Sequence, residues 1–189
     1  MEHTPHSQPS ARAFTLVELI VSVGLFSIVV VIAMSAYLSL ISLDRKARAT
    51  SDVMTNLSFV MESMTRSIRT GTNYDCGSIG SIANCPSGSN YFSFLDENGQ
   101  TDTYLLNTSD NTIRTCQNSG TCTAGGATVL TDPRIKVTNL TFYTQGAGTG
   151  DGIQPRVVFV ISGSITPDAA SSPISFTIES AATQRLLDL

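Results

Sequence analysis

The chain has 189 residues, of which 41% are hydrophobic and 14% charged, and its formal net charge is −4. The length suits one domain with an appendage, the charged fraction lies below the roughly 25% of an average soluble domain, and the acidic balance excludes a broadly basic surface of the kind that binds nucleic acid. Both histidines, His3 and His6, fall in the first six residues.

The apolar residues are unevenly placed. Leu19 to Leu43 is a run of 25 residues without a charge, 19 of them apolar, the rest being five serines and Gly24. As a helix this run would extend about 37 Å at 1.5 Å per residue, enough to cross a hydrocarbon core of roughly 30 Å. The competing readings are a buried core helix and a secretory signal peptide. A core helix is seldom apolar on every side, and a secretory signal has an apolar region of only about 7–15 residues. Late cleavage near Ala33-Met34-Ser35 would still suit a secretory signal.

A charged patch follows at Asp44, Arg45, Lys46 and Arg48. Beyond it Val53, Leu57, Val60, Met61, Met64 and Ile68 recur in steps of three and four with one adjacent pair, a stripe on one helix face. No proline occurs from Phe14 to Arg69, and Gly71 supplies a stop signal. One helix of roughly 55 residues, about 80 Å long, is the simplest reading. Two helices hinged near Asp44 are the alternative.

Glu18 stands at the head of the apolar run. A carboxylate buried in lipid costs on the order of 2.5–3.5 kcal/mol even on the lenient insertion scale, so it needs a partner or a position at the headgroups. Its neighbours, Arg12-Ala13-Phe14-Thr15-Leu16-Val17-Glu18-Leu19-Ile20, resemble the class III signal peptide of type IV prepilins and type II secretion pseudopilins. The resemblance implies cleavage by a prepilin peptidase between Ala13 and Phe14, N-methylation of Phe14, and a role in subunit assembly for Glu18, the fifth mature residue. Ala13 replaces the commoner glycine. In such a family the acid neutralises the new N-terminal amine of a neighbouring subunit, so that two unpaired charges become a pair. The implied partners are other pilins or pseudopilins through helix bundling, the peptidase, an inner-membrane assembly platform and the membrane itself.

The implied organisation is a leader at 1–13, a transmembrane and polymerisation helix at 14–43, its amphipathic continuation at 44–70 and a β-rich exported domain at 71–189. The implied fold is α+β and pilin-like, the long helix packing on an antiparallel sheet. The precursor would cross the inner membrane once with its body extracytoplasmic, and the mature protein would reside in a periplasmic or cell-surface filament. Charge alone argues the other way. Only Arg12 precedes the run, whereas Arg45, Lys46 and Arg48 follow it, which by the positive-inside rule would leave the body in the cytoplasm.

From Gly71 the texture turns to Ser, Thr, Asn and Gly. Tyr91–Leu95 and Thr103–Leu106 flank the turn Asp96-Glu97-Asn98-Gly99, a hairpin signal. Further strands are expected at Thr112–Thr115, Ile135–Thr144, Arg156–Ser162 and Ser175–Ser180, the third of these being nearly continuous in apolar residues and so central. Gly146–Gly152 and Thr166–Ser172 read as loops. Cys76, Cys85, Cys116 and Cys122 lie in this region. Their spacing does not suit a zinc ribbon, and an even count in an exported domain reads as disulfides, with three pairings open. Cys76–Cys85 and Cys116–Cys122 are favoured because each closes a short polar loop. In order and texture the body resembles the W-type minor pilin and the J-type minor pseudopilin.

The sequence offers no catalytic, cofactor-binding or metal constellation. Cleavage after Ala13 would remove both histidines, and with them Ser-His and Cys-His chemistry. Asp151 in the Gly-rich stretch 148–152 could face a calcium ion but is a lone acid of a kind usually found in turns. Asp96 and Glu97 read as solvated turn residues. From Gly71 to Leu189 there are five basic and ten acidic residues, so no phosphate track is present and nucleic acid is not expected as a partner. The chain thus reads as a minor subunit of a type IV pilus or type II secretion pseudopilus, placed near the tip. A monomeric membrane-anchored binding or adhesin module is the alternative.

Overall fold

The computed structural model describes residues 14–77, 80, 82–117, 122–123, 125–166 and 172–186. The leader with Ala13 and most of the expected loop at 166–172 lie outside the described residues. One helix, α1, Leu16–Thr70, is followed by eight strands: β1, Thr72–Cys76; β2, Tyr91–Leu95; β3, Thr101–Asn107; β4, Thr112–Cys116; β5, Thr128–Val129; β6, Ile135–Gln145; β7, Arg156–Ile165; and β8, Ile174–Thr183. The chain forms two compact units, residues 1–45 and 46–189.

In the first unit the helix is apolar and uncovered on every side, and it is long and apolar enough to cross a membrane. Its serines do not work against that. Ser22, Ser27, Ser35 and Ser42 donate their hydroxyls to carbonyls three or four residues back, at 2.8–2.9 Å. A hydroxyl satisfied within its own helix needs no water.

In the second unit the helix buries Val53, Leu57, Val60, Met61, Met64 and Ile68, the same six residues that the spacing places on one face. They enter a single core with residues from two antiparallel sheets. The expected antiparallel β body is divided between these two sheets. One has the order β1-β2-β3-β4-β5, the other β6-β7-β8, with β7 central as its apolar run suggested. The sheets are joined where Ser89 and Phe142 exchange two backbone hydrogen bonds, at 2.9 and 2.7 Å. There the Phe92 and Phe142 rings stack across the junction, centroids 5.2 Å apart.

The strands β1 and β5 were not expected. Thr72–Cys76 contains Asn73 with φ 54° and a register irregularity against β2, so it lacks a clean alternation. The two residues of β5 are too few to show a period. β2 coincides with the expected strand, and β3, β4, β6, β7 and β8 extend the expected ones by a residue or more. The hairpin turn is held by Asp96, whose carboxylate accepts the N–H groups of Asn98 and Gln100 at 2.8 and 2.7 Å. These donors, that of Gln100 foremost, hold its carboxyl below the ordinary range.

Two glycines answer close approaches. A Cβ on Gly163 would lie 2.3 Å from the Lys136 carbonyl oxygen, beside the register shift between Val137 and Asn139. A Cβ on Gly71 would lie 2.2 Å from the Phe94 ring. The helix stops at Gly71 as expected, but Gly71 is not among the glycines with positive φ. It is needed there because the chain turns against Phe94.

The helix end is tied down at several points. The Tyr74 hydroxyl donates to the Ile68 carbonyl at 2.6 Å, the Gly71 N–H reaches the carbonyls of Ser67 and Ile68, and the Arg185 N–H reaches that of Arg69 at 2.8 Å. These bonds satisfy carbonyls that a helix terminus otherwise leaves unpaired. Further up, the Asn56 side-chain oxygen accepts the Asp132 N–H at 3.2 Å, and Asp132 pairs with Arg134 at 3.0 Å. The structure joins Cys76 to Cys85 and Cys116 to Cys122. Cys76 ends β1 and Cys116 ends β4, so each bridge anchors the end of its strand.

Burial pushes the Tyr74 phenol well above its ordinary value. Because the unfolded phenol ionises near pH 10, the stability linked to Tyr74 is complete below about pH 10 and falls as pH rises past it. Tyr74→Phe should cost about 1 kcal/mol at neutral pH by removing the bond to Ile68. It should also lessen the alkaline loss. Urea unfolding between neutral and alkaline pH, followed by near-UV circular dichroism, checks both.

Candidate assembly site at the head of the helix

Phe14 is 80% exposed and lies two residues ahead of the first helical residue, Leu16. Thr15 occupies the N-cap. Its hydroxyl accepts the Glu18 N–H at 3.3 Å, and its carbonyl accepts the Leu19 N–H at 3.2 Å. Thr15-Leu16-Val17-Glu18 is the Thr-x-x-Glu pattern of a capping box, a signal present in the sequence and missed in reading it. The cap fixes the start of the helix immediately after Phe14.

Glu18 lies in the first turn and is exposed. A carboxylate there is favoured by the partial positive charge of the helix N-terminus. Among the described residues it is in no ion pair and no cation neutralises it. It is surrounded by side chains of 58–75% exposure at Leu16, Val17, Leu19 and Ile20. Burying a side chain of this size stabilises by about 1.5–3 kcal/mol, so ten of them amount to about 15–30 kcal/mol. The segment requires lipid or other helices around it.

The remaining expected residues are elsewhere. The four cysteines are in the two bridges of the second unit and do not approach one another as a metal site; no group of three or more His, Cys, Asp or Glu residues that could hold a metal occurs among the described residues. Asp151 accepts the Ile153 N–H at 2.7 Å, the behaviour of a turn residue.

Thr15→Ala should remove about 1 kcal/mol from the helix start. Hydrogen exchange of the full chain in micelles should show the Glu18 amide exchanging about fivefold faster, with amides beyond Gly24 unchanged.

Residues 9–34 match the family model described as the prokaryotic N-terminal methylation motif. No curated protein and no solved structure matches the chain. The matched segment contains the Ala13–Phe14 junction, the Thr15 cap, Glu18 and the first half of the uncovered helix. The motif implies processing by a prepilin peptidase and assembly with other pilins, and it belongs to structural subunits rather than enzymes. Residues 9–34 thus carry the class III signal-peptide motif found on type IV pilins and pseudopilins, at the head of a helix long and apolar enough to cross a membrane, in a chain with a pilin-like α+β fold.

Proposed function

We propose that this chain is a minor structural subunit of a type IV pilus or type II secretion pseudopilus, cleaved between Ala13 and Phe14, N-methylated on Phe14 and incorporated near the filament tip. The observation that carries the reading is the placement of Glu18. It is an acid with no ion pair among the described residues, in the first turn of an exposed apolar helix, four residues from the amine that cleavage would create. Within one protomer the two charges would both face lipid. Between neighbouring helices they would neutralise each other.

In this reading the precursor waits in the inner membrane with its body on the extracytoplasmic side, where the Cys76–Cys85 and Cys116–Cys122 bridges persist. Extraction into the filament exchanges lipid for the helices of other subunits and the assembly platform. The body supplies the surface that other minor subunits meet.

Intact mass of the purified protein should show loss of residues 1–13 and the gain of one methyl group. A mature start at Ser35 or Ala36 would instead leave a secreted body and remove the polymerisation helix. Glu18→Ala should insert into the membrane normally and lower incorporation into sheared filaments by about tenfold, equivalent to losing about 1.4 kcal/mol of assembly free energy. Normal incorporation of that variant would refute the assembly role.

A further inference from the structure

The second unit holds a cleft of about 500 Å³ beside the last turns of α1. Its charged lining is Arg66, Arg69, Arg185 and Glu62, and Thr65 and Ser180 add hydroxyls that hydrogen-bond to each other at 3.2 Å. The lining therefore carries three positive charges and one negative, although the region from Gly71 to Leu189 holds ten acidic residues against five basic.

The three arginines are exposed, and among the described residues none is in an ion pair. By contrast Arg114 pairs with Asp110 and Arg134 with Asp132. Nor does the helix end need them. The carbonyls of Ser67, Ile68 and Arg69 already have donors in the N–H of Gly71, the Tyr74 hydroxyl and the N–H of Arg185. The last of these bonds also holds Arg185 beside Arg69. Like charges held together cost energy unless an anion joins them.

A second observation concerns the strand at the cleft wall. β8 pairs with β7 on one side and ends the sheet on the other. Its ten residues contain one charge, Glu179, and no proline, and its pairing with β7 continues without a register shift from Ile174 to Thr183. Proteins usually blunt a long edge strand with charges, proline or a bulge. The cleft is lined by α1, by Ser180 of β8 and by Arg185 just after it, and by no residue of β7. It therefore lies between the last turns of α1 and the edge strand of the sheet.

We propose that this cleft is the docking site for an extended acidic segment of a partner polypeptide, which adds as a strand to the edge of β8 and places carboxylates against Arg66, Arg69 and Arg185. Main-chain bonds to the edge give affinity in this mode, and side chains reaching pockets beside it give selectivity. Guanidinium groups suit carboxylates because they can donate two parallel hydrogen bonds to each. The site stands apart from the head of the helix and does not depend on cleavage or on Glu18.

The test uses the full chain in detergent micelles and a fluorescein-labelled peptide, Thr-Glu-Val-Glu-Thr-Asp-Val-Glu, read by anisotropy. Binding should saturate, and it should weaken about tenfold in the double variant Arg69→Glu with Arg185→Glu. Replacing the peptide's acids with lysine, or N-methylating alternate amides, should weaken it by about as much. The milder Arg185→Gln should lose about threefold with an unchanged melting temperature, which separates loss of binding from loss of fold. The proposal is overturned if no saturable binding occurs or if the arginine variants bind as the parent does. It is equally overturned if the N-methylated peptide binds unchanged while inorganic phosphate displaces it, because the cleft is then a simple anion site.

Discussion

The structure depends first on where the apolar surface of the helix between Phe14 and Leu43 is hidden. Among the described residues this surface is exposed, and water is a poor cover for it. Lipid tails and other apolar helices are nearly equivalent covers, because hydrocarbon is as apolar as leucine. The hydrophobic effect that holds the segment out of water therefore does little to choose between membrane and bundle. In the assembly we propose, that choice falls to close packing and to the few polar groups present. Four of the five serines cancel themselves by bonding back along the helix, and Thr15 is occupied by the amide of Glu18. Glu18 is left as the group whose situation differs most between the two settings.

The second unit solves a more ordinary problem. An amphipathic helix needs a partner for one stripe, and residues of both sheets enter the core that receives it. Bringing Phe92 and Phe142 together at the junction of the sheets lets both face the same stripe. A ladder of aromatic rings continues from Tyr74 through Phe92 and Phe142 to Phe159, with centroids 5.2–5.9 Å apart. The interior is then closed at its end by Tyr74 and the backbone of Arg185, which hold the last helical carbonyls.

Much of this was legible in the residues. The stripe from Val53 to Ile68 could be read because a helix face buried on one side enforces a period near 3.6. The strand at Arg156 could be read because burial on a central strand enforces an apolar run. The hairpin could be read because Asp96 and Gly99 are suited to the turn they make. The division into two sheets could not. It depends on which strands pair through their backbones, and backbone bonds leave no mark on side-chain type. Gly71 was placed correctly for an incomplete reason, since a stop signal and a close approach to Phe94 look the same in sequence. The head of the helix was legible through a motif, while its cap was overlooked although Thr15 and Glu18 stand at the spacing that defines one. The arginine cleft joins residues more than a hundred positions apart, Arg69 and Arg185, and no local pattern could have announced it.

The two disulfides share a property of order. Each cysteine is bonded to the next one along the chain, Cys76 to Cys85 and Cys116 to Cys122. A polypeptide delivered through a pore N-terminus first would present the first pair together before either member of the second had emerged. An oxidant acting on thiols as they appear would then make the native bridges simply by following the direction of travel. For the exported body we propose, the connectivity would follow from the schedule of delivery as well as from the finished fold, and a wrong pair would require the first two thiols to wait.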